Sequence, residues 1–368
     1  MILKRLSIQG FRNYTGSEIS FDPGTNILIG QNGQGKTNLL EAIYYLSGAK
    51  SFRSRFDREL IGFGLDAFQL RAEIFAENRD QTIEIILQRG RKKEILKNGI
   101  KQKRTADLNG TFLAVLFSPE DLSIVKDGAA ARRKLLDLAI AQIRPRYALA
   151  LSEFNKLYAH KTRILRDFRE KPSLLSALDE FNLRLAKVGA ILIHYRAAFV
   201  EKLSQYASHV HRACSGETEE LTLSYQTVKT VDNPNAPPSE IVLQLIEHQT
   251  ARRQAEIDAG LCLSGAHKDD IEIKIGDILA RAFASQGQTR TAALAIKLAE
   301  RDIFFEDRGE YPILLLDDVL SELDPKRQDF VLNRIQDGQV FITCCEDARI
   351  AERTGGRLFY VERGAVNV

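Results

Sequence analysis

The sequence predicts an α/β fold interrupted by a mostly helical insertion. Three observations carry this. Short apolar runs bounded by turn residues fill both ends of the chain. From about Asp127 to Gly216 the apolar residues recur at helical spacing instead. A glycine-rich loop, "GQNGQGKTN" (30–38), joins one apolar strand to one helix.

In chain order, "LSIQGF" (6–11), "EISF" (18–21) and "NILIG" (26–30) read as strands before that loop. "FQLRAEIFAE" (68–77) and "QTIEIILQRG" (81–90) alternate at period two, as half-buried strands do. "KEILKNGIKQ" (93–102) holds Asn98-Gly99, a hairpin signal, and "TFLAVLFSPED" (111–121) reads as a strand that stops at Pro119. The middle is helical through "RRKLLDLAIAQI" (132–143), "YALALSEFNKLYAHKTRIL" (147–165) and "LLSALDEFNLRLAKVGAILIHYRAAFVEKL" (174–203), with breaks near Pro145 and Pro172. No heptad is sustained there, which excludes a long coiled coil. "ELTLSY" (220–225) is strand-like, "DNPNAPPSE" (232–240) a loop and "IVLQLIEHQTARRQAEIDAG" (241–260) a helix. The C-terminal part returns to α/β. "DIEIKI" (270–275) is a strand, "TRTAALAIKLAERDIFFED" (289–307) a helix, "YPILLLDDVLSELD" (311–324) a buried strand ending in carboxylates, "PKRQDFVLNRI" (325–335) a helix opened by proline and "GQVFITCC" (338–345) a further strand.

With 368 residues and 44% hydrophobic content the chain can build two or three domains with proper cores. The net charge of +3 is too small for bulk attraction to nucleic acid, so any such binding must come from local patches. Cys214, Cys262, Cys344 and Cys345 form no C-x-x-C pair, as expected of a reduced cytoplasmic protein. The N-terminus alternates like a strand rather than a signal peptide, and no apolar run is long enough to span a membrane.

The glycine loop fits G-x-x-x-x-G-K-[ST], with Gly30, Gly35, Lys36 and Thr37 in the fixed places. Glycines let backbone N–H groups close on phosphate oxygens, and the following helix adds the positive end of its dipole. Lys36 reaches the β and γ phosphates, and the Thr37 hydroxyl holds Mg²⁺. The second carboxylate source is "ILLLDD" (313–318). A strand of this kind ends where ligands of open α/β sheets bind, so Asp317 serves Mg²⁺ and Asp318 serves the attacking water. "SQGQTR" (285–290) opens a helix and offers Ser285 and Gly287 as a second anion site, with a polar helix cap as the bland alternative.

The order GQNGQGKTN, SQGQTR, LLLDD, SELD resembles the ABC-type ATPases of the SMC class. The RecF family is closer still, through "FRNY" (11–14), "FSPEDL" (117–122), "RRKLLD" (132–137) and "SQGQTRTAALAIKLAE" (285–300). The resemblance covers essentially the whole chain. It implies an ABC/SMC-type P-loop ATPase head made from both chain ends (1–125 and 261–368) with a helical arm (126–260) between them. It implies ATP held by Gly30, Gln31, Asn32, Gly33, Gln34, Gly35, Lys36, Thr37, Asn38 and Arg12, with Ser285 and Gly287 closing over it from the partner of an ATP-dependent homodimer. It further implies a bacterial DNA-binding protein of recombinational repair and replication. Such a protein binds single-stranded or gapped double-stranded DNA, hydrolyses ATP slowly, helps load recombinase and works with RecO and RecR. Two other readings are an SMC-like ATPase of a different DNA-maintenance pathway and an ABC-type ATPase that binds no DNA. A vestigial adaptor is a third, opposed by the intact Lys36, Thr37 and Asp317.

The chain departs from the ABC pattern in three places. Asp318 stands where the general pattern has Glu, a shorter reach that suits slow hydrolysis. Cys344 and Cys345 stand where a switch histidine is usual. "SGAHKDD" (264–270) keeps His267 and Asp269 of a family motif but loses its Pro and Arg, so His267 is expected to be a buried, hydrogen-bonded residue. For DNA, the stretch "RGRKKEILKNGIKQKR" (89–104) is strongly basic on a predicted hairpin. Lys92, Lys93, Lys101 and Lys103 are the phosphate contacts expected there. Lys161, Arg163, Arg166 and Arg169 form a second candidate, more often a solvated helix face. No recognition-helix or zinc-finger signature is present, which points away from base-specific readout.

Overall fold

The computed structural model describes all residues except 49, 217–218, 346–352 and 368. The chain divides into two compact units, Met1–Leu122 with Ala293–Val368, and Ser123–Ala292.

In the first unit, strands β1 (Ile2–Phe11), β2 (Tyr14–Ser20), β4 (Ala67–Ala76), β5 (Arg79–Gln88), β6 (Glu94–Lys97) and β7 (Ile100–Lys101) form an antiparallel sheet in the order β2-β1-β4-β5-β6-β7. Their period-two pattern is realised. Leu70, Ala72 and Ile74 of β4 and Ile83 and Ile85 of β5 are fully buried, while alternate residues face outward. Asn98 at φ +51° and Gly99 at φ +76° make the turn of the β6–β7 hairpin, as the Asn-Gly pair predicts.

The second sheet of this unit runs β15-β14-β3-β13-β12-β8. It joins β3 (Thr25–Ile29) and β8 (Ala114–Phe117) to β12 (Ile313–Leu316), β13 (Val340–Cys344), β14 (Arg357–Glu362) and β15 (Ala365–Asn367). All neighbours are parallel except β14 with β15. Strands buried on both faces read as unbroken apolar runs, and every residue of β12 and β13 is buried. Helix α1 (Lys36–Tyr45) follows β3 and packs Leu39, Leu40 and Ile43 into the core the two sheets share. Buried Gln339 ties the sheets together. Its amide exchanges hydrogen bonds with the Leu3 backbone at 2.7 and 3.0 Å, completing a ladder that no strand reaches.

The second unit holds α2 (Ser123–Lys126), α3 (Ala129–Ile143), α4 (Pro145–Asp167), α5 (Leu178–Ser215), α6 (Pro238–Ala259) and α7 (Ala280–Phe283). A small antiparallel sheet, β9 (Leu221–Gln226), β10 (Asp270–Ile275) and β11 (Ile278–Leu279), completes it. Pro145 and Pro172 each open a new helical segment, as their fixed φ and missing N–H dictate. The unit boundary falls inside α8 (Gln286–Arg308), so residues 261–292, assigned to the head by sequence, belong to the arm instead. The reason is the pairing of β10 with β9 across an intervening helix, a long-range contact without a local signal. Helix α9 (Pro325–Arg334) starts at Pro325 with Asp324 as its cap, the Asp324 carboxylate accepting the Arg327 N–H.

An ion network fixes the middle unit. Arg196, almost fully buried, donates to Asp137, to Asp269 and to the Ala266 carbonyl. Asp269 also accepts from Tyr225 and Thr227. Arg132 grips Asp270 with two bonds at 2.6 and 3.0 Å. The aspartates of "SGAHKDD" are therefore structural clamps. Lys161, expected on a solvated face, is fully buried and paired with Glu256 at 2.7 Å. Arg163 and Arg166 share Asp167 and stay exposed, and Arg169 donates to the Asp258 carbonyl, an arrangement that fits a solvated charged face.

Candidate nucleotide site

Sheet order builds the site. Strand β13 lies between β3 and β12, so the loop after β3 and the carboxylates after β12 emerge on either side of it, at the same end of the sheet. The Thr37 hydroxyl donates to Asp317 Oδ1 at 2.9 Å. Thr343, at the end of β13, donates to the same oxygen at 3.0 Å and accepts the Asp318 N–H at 2.8 Å. A single hydroxyl on the middle strand thus joins both carboxylate residues. Burial pushes the Asp317 carboxyl above its usual range, against the pull of the two threonine hydroxyls. Asp318 is half-buried, at φ +55°, and its carboxylate accepts Ser321 Oγ–H at 3.1 Å.

The loop is held open from below. Gly33 and Gly35 have φ of +80° and +119°, and a Cβ on Gly35 would sit 2.7 Å from the Asn13 side chain. Asn13 donates to the Gln34 carbonyl at 2.9 Å and accepts Asn38 Nδ2–H at 2.8 Å, while Tyr14 donates to the Gly35 carbonyl at 3.1 Å. Gly364 N–H and Arg363 N–H bind Gln34 from the C-terminal hairpin, at 3.0 and 2.8 Å. Gln31, Asn32 and Gly33 form the exposed rim. Lys36 is buried, and its ammonium rests on the carbonyls of Gly30 and Gln31.

Arg12 stands beneath the loop. Its guanidinium makes two 2.8 Å bonds to buried Glu41, and it also donates to Ser54 and to the Glu59 carbonyl. Every guanidinium nitrogen is engaged, so Arg12 props α1 against the β1–β2 turn, and of its five N–H groups only the second on Nη1 is left for the nucleotide contact expected from its motif. Asn13 and Thr343 were not singled out from the sequence. A polar residue ending an apolar strand, as in "VFIT", is the one signal that points to Thr343. Cys345 Sγ lies 3.3 Å from Asn32 Oδ1 and 3.9 Å from Lys36 Nζ.

Ser285 and Gly287 belong to the second unit. Ser285 Oγ accepts Gln288 N–H at 3.2 Å, and Gln288 Oε1 accepts Ser285 N–H at 2.8 Å, a reciprocal cap at the start of α8. Ser285 is nonetheless exposed, so the cap leaves it presentable.

His267 takes the role expected of it. Its Nε2 faces the Cys262 carbonyl at 2.9 Å, and burial pushes its pKa down to about 4. Lys93 does not take the role expected of it. Its ammonium is largely buried, binds Asp57 at 2.8 Å and the Tyr45 hydroxyl at 2.9 Å, and its pKa is lowered by burial. It is a strut between β-sheet and loop, not a phosphate contact. Lys101 pairs with Glu94 at 2.8 Å at the surface, while Lys92 and Lys103 are exposed.

Comparison with known proteins shows the family. A family model described as the RecF/RecN/SMC N terminal domain matches residues 2–363. The DNA replication and repair protein RecF of Alkaliphilus oremlandii is 37% identical over 372 residues, covering 100% of both chains. That of Ruminiclostridium cellulolyticum is 37% identical over 345 residues, 94% of this chain and 92% of its own. A solved structure of the recombination mediator protein RecF with ATPrS, in the RecFOR pathway, superposes with a TM-score of 0.92 at 34% identity, over 99% of this chain and 97% of that one. An Smc head domain from Pyrococcus furiosus aligns at TM-score 0.57 and 17% identity, a likeness of fold alone. The match runs the length of the chain: the chain belongs to the RecF family of SMC-class ATPases.

Proposed function

We propose that this chain is an ATP-dependent DNA-binding protein of recombinational repair and replication that uses slow ATP hydrolysis as a switch. The observation that carries the reading is the 2.9 Å meeting of Thr37 with Asp317 beside a glycine loop whose Gly33 opens onto free space. The donors fit Mg·ATP. A hydroxyl and a carboxylate oxygen are the hard ligands that Mg²⁺ takes alongside phosphates. When bound there, the ion neutralises charge on the transferring phosphoryl group. Lys36 would exchange the Gly30 and Gln31 carbonyls for phosphate oxygens, and loop N–H groups would hold the β phosphate. Asp318, beside Asp317, orients the attacking water.

Ser285 and Gly287, at a helix start where Ser285 is exposed, receive the γ-phosphate bound by a partner subunit, which makes ATP the ligand of a homodimer and ADP not. Lys92, Lys101 and Lys103 of the hairpin supply contacts to DNA phosphates. The relatives' names support a role in DNA replication and repair, and the family resemblance supports RecO and RecR as partners.

Light scattering and DNA binding with ATP, ADP and a gapped duplex test the whole reading. The expected result is a doubled mass with ATP alone, tighter DNA binding in that state and slow phosphate release. A protein whose mass and DNA affinity ignore the nucleotide would rule the switch out.

A further inference from the structure

The antiparallel sheet carries a second pocket, at the root of the basic hairpin, that the nucleotide site does not use. Phe56, Arg58, Ile61, Arg89 and Arg91 line it, and its volume is about 300 Å³. Its one acid, Asp57, is neutralised from within by Lys93. The rim is cationic. Arg55, Arg58, Arg91 and Lys92 are exposed and make no ion pair among the described residues. The Arg55 and Arg58 guanidinium carbons stand 5.3 and 4.9 Å from the centre of the Phe56 ring, which stays 46% exposed.

Beyond Ile61 the chain turns through Gly62, Phe63, Gly64 and Leu65 and is tied back to the pocket. Arg89 N–H donates to the Asp66 carbonyl at 2.7 Å, and Arg89 Nη2 donates to the Leu65 carbonyl at 3.3 Å. At the tip Phe63 is fully exposed, at 106%. A phenylalanine held out in water is free to meet a ligand. It sits on a loop tied to the pocket through Arg89, and together with the cationic rim it has the composition of a surface that stacks on bases and neutralises phosphates. A duplex hides its base faces, so these rings suit a single strand.

We infer that this pocket and the Phe63 loop bind single-stranded nucleic acid, with Phe63 and Phe56 stacking on bases and Arg58 and Arg91 holding phosphates. The inference rests on the reading of the chain as a DNA-binding protein and adds the surface on which the single-stranded form binds.

The test uses the full-length protein, a fluorescent oligothymidylate and a duplex of equal length, with anisotropy measured across salt. Phe63→Ala should weaken single-strand binding roughly five- to a hundredfold without changing the salt slope, because stacking releases no counterions. Duplex binding, ATP turnover and unfolding temperature should not move. Arg58→Ala with Arg91→Ala should flatten the single-strand slope by about 0.7 for each lost phosphate contact. Wild-type single-strand affinity in Phe63→Ala overturns the inference, and duplex binding by the wild type then leaves the DNA-binding reading standing. If the wild type binds neither form, with or without ATP, both fall. If an acidic phenylalanine-containing peptide binds in a Phe63-dependent manner while the oligonucleotide does not, the occupant is a protein and the inference fails.

Discussion

Asp318 shows how backbone geometry selects a residue. At φ +55° it lies in the left-handed region, where a short polar side chain is tolerated and a longer one is strained. The shorter carboxylate noted in the sequence therefore has a conformational cause besides its reach. Asp318→Asn preserves this backbone and should slow phosphate release by about a hundredfold or more, with ATP binding intact. Asp318→Glu should instead lose about 1 kcal/mol of stability to strain, visible in denaturant unfolding. His267 makes a pH prediction. Its Nε2–H donates to the Cys262 carbonyl, so Nδ1 holds the lone pair, buried and without a hydrogen-bond partner among the described residues, with Lys268, Lys161 and Arg133 around it. Protonation is thus favoured in the unfolded chain, near pH 6.5, and resisted in the fold down to about pH 4. Stability should be complete above pH 6.5 and fall by up to about 3 kcal/mol as pH drops to about 4. His267→Phe should remove that slope, at the cost of one hydrogen bond; an unchanged pH profile in this variant would show that other groups set it.

Elements decide which charges are available. At the foot of the β6–β7 hairpin, Lys93 is taken up by Asp57 and by Tyr45 of α1, while Lys92 and Lys103, which flank the hairpin, stay exposed. Replacing Lys92 and Lys103 with Ala should lower the salt slope of DNA binding by about 1 to 2, with stability unchanged. Lys93→Ala should do the reverse. It should cost about 1 to 3 kcal/mol, because the Asp57 carboxylate loses its partner, and leave the slope alone. The same logic applies to α8. The reciprocal Ser285–Gln288 cap makes a helix start that is fixed before any ligand arrives.

For the molecule as a whole, the γ-phosphate is the proposed link between two copies. Lys36 on one chain and Ser285 on the other would share it, so ATP favours the dimer by its differential affinity. Ser285→Arg puts bulk and charge on that face and should abolish the ATP-dependent dimer in light scattering, while monomeric nucleotide binding persists. Asp318→Asn should trap the dimer. A Ser285→Arg protein that still doubles its mass with ATP would place the interface elsewhere.

The sequence by itself determined most of the strands and helices, though not β14 and β15, and with them the glycine loop, Lys36, Thr37 and the two carboxylates, because each rests on local spacing: period two, period 3.6, a glycine where φ is positive, an apolar run ending in Asp. It also determined the family, since four motifs in fixed order are specific together. Only the tertiary structure decided what depends on which strands are neighbours. Placing β13 between β3 and β12 made Thr343 the bridge between Asp317 and Asp318. Folding buried Lys161 against Glu256 and Lys93 against Asp57, and it spent Arg12 on Glu41. A lysine written in a basic run looks like surface charge. Its partner is an acid far away in the chain or on another element, and burial, not composition, decides whether that charge is left for DNA.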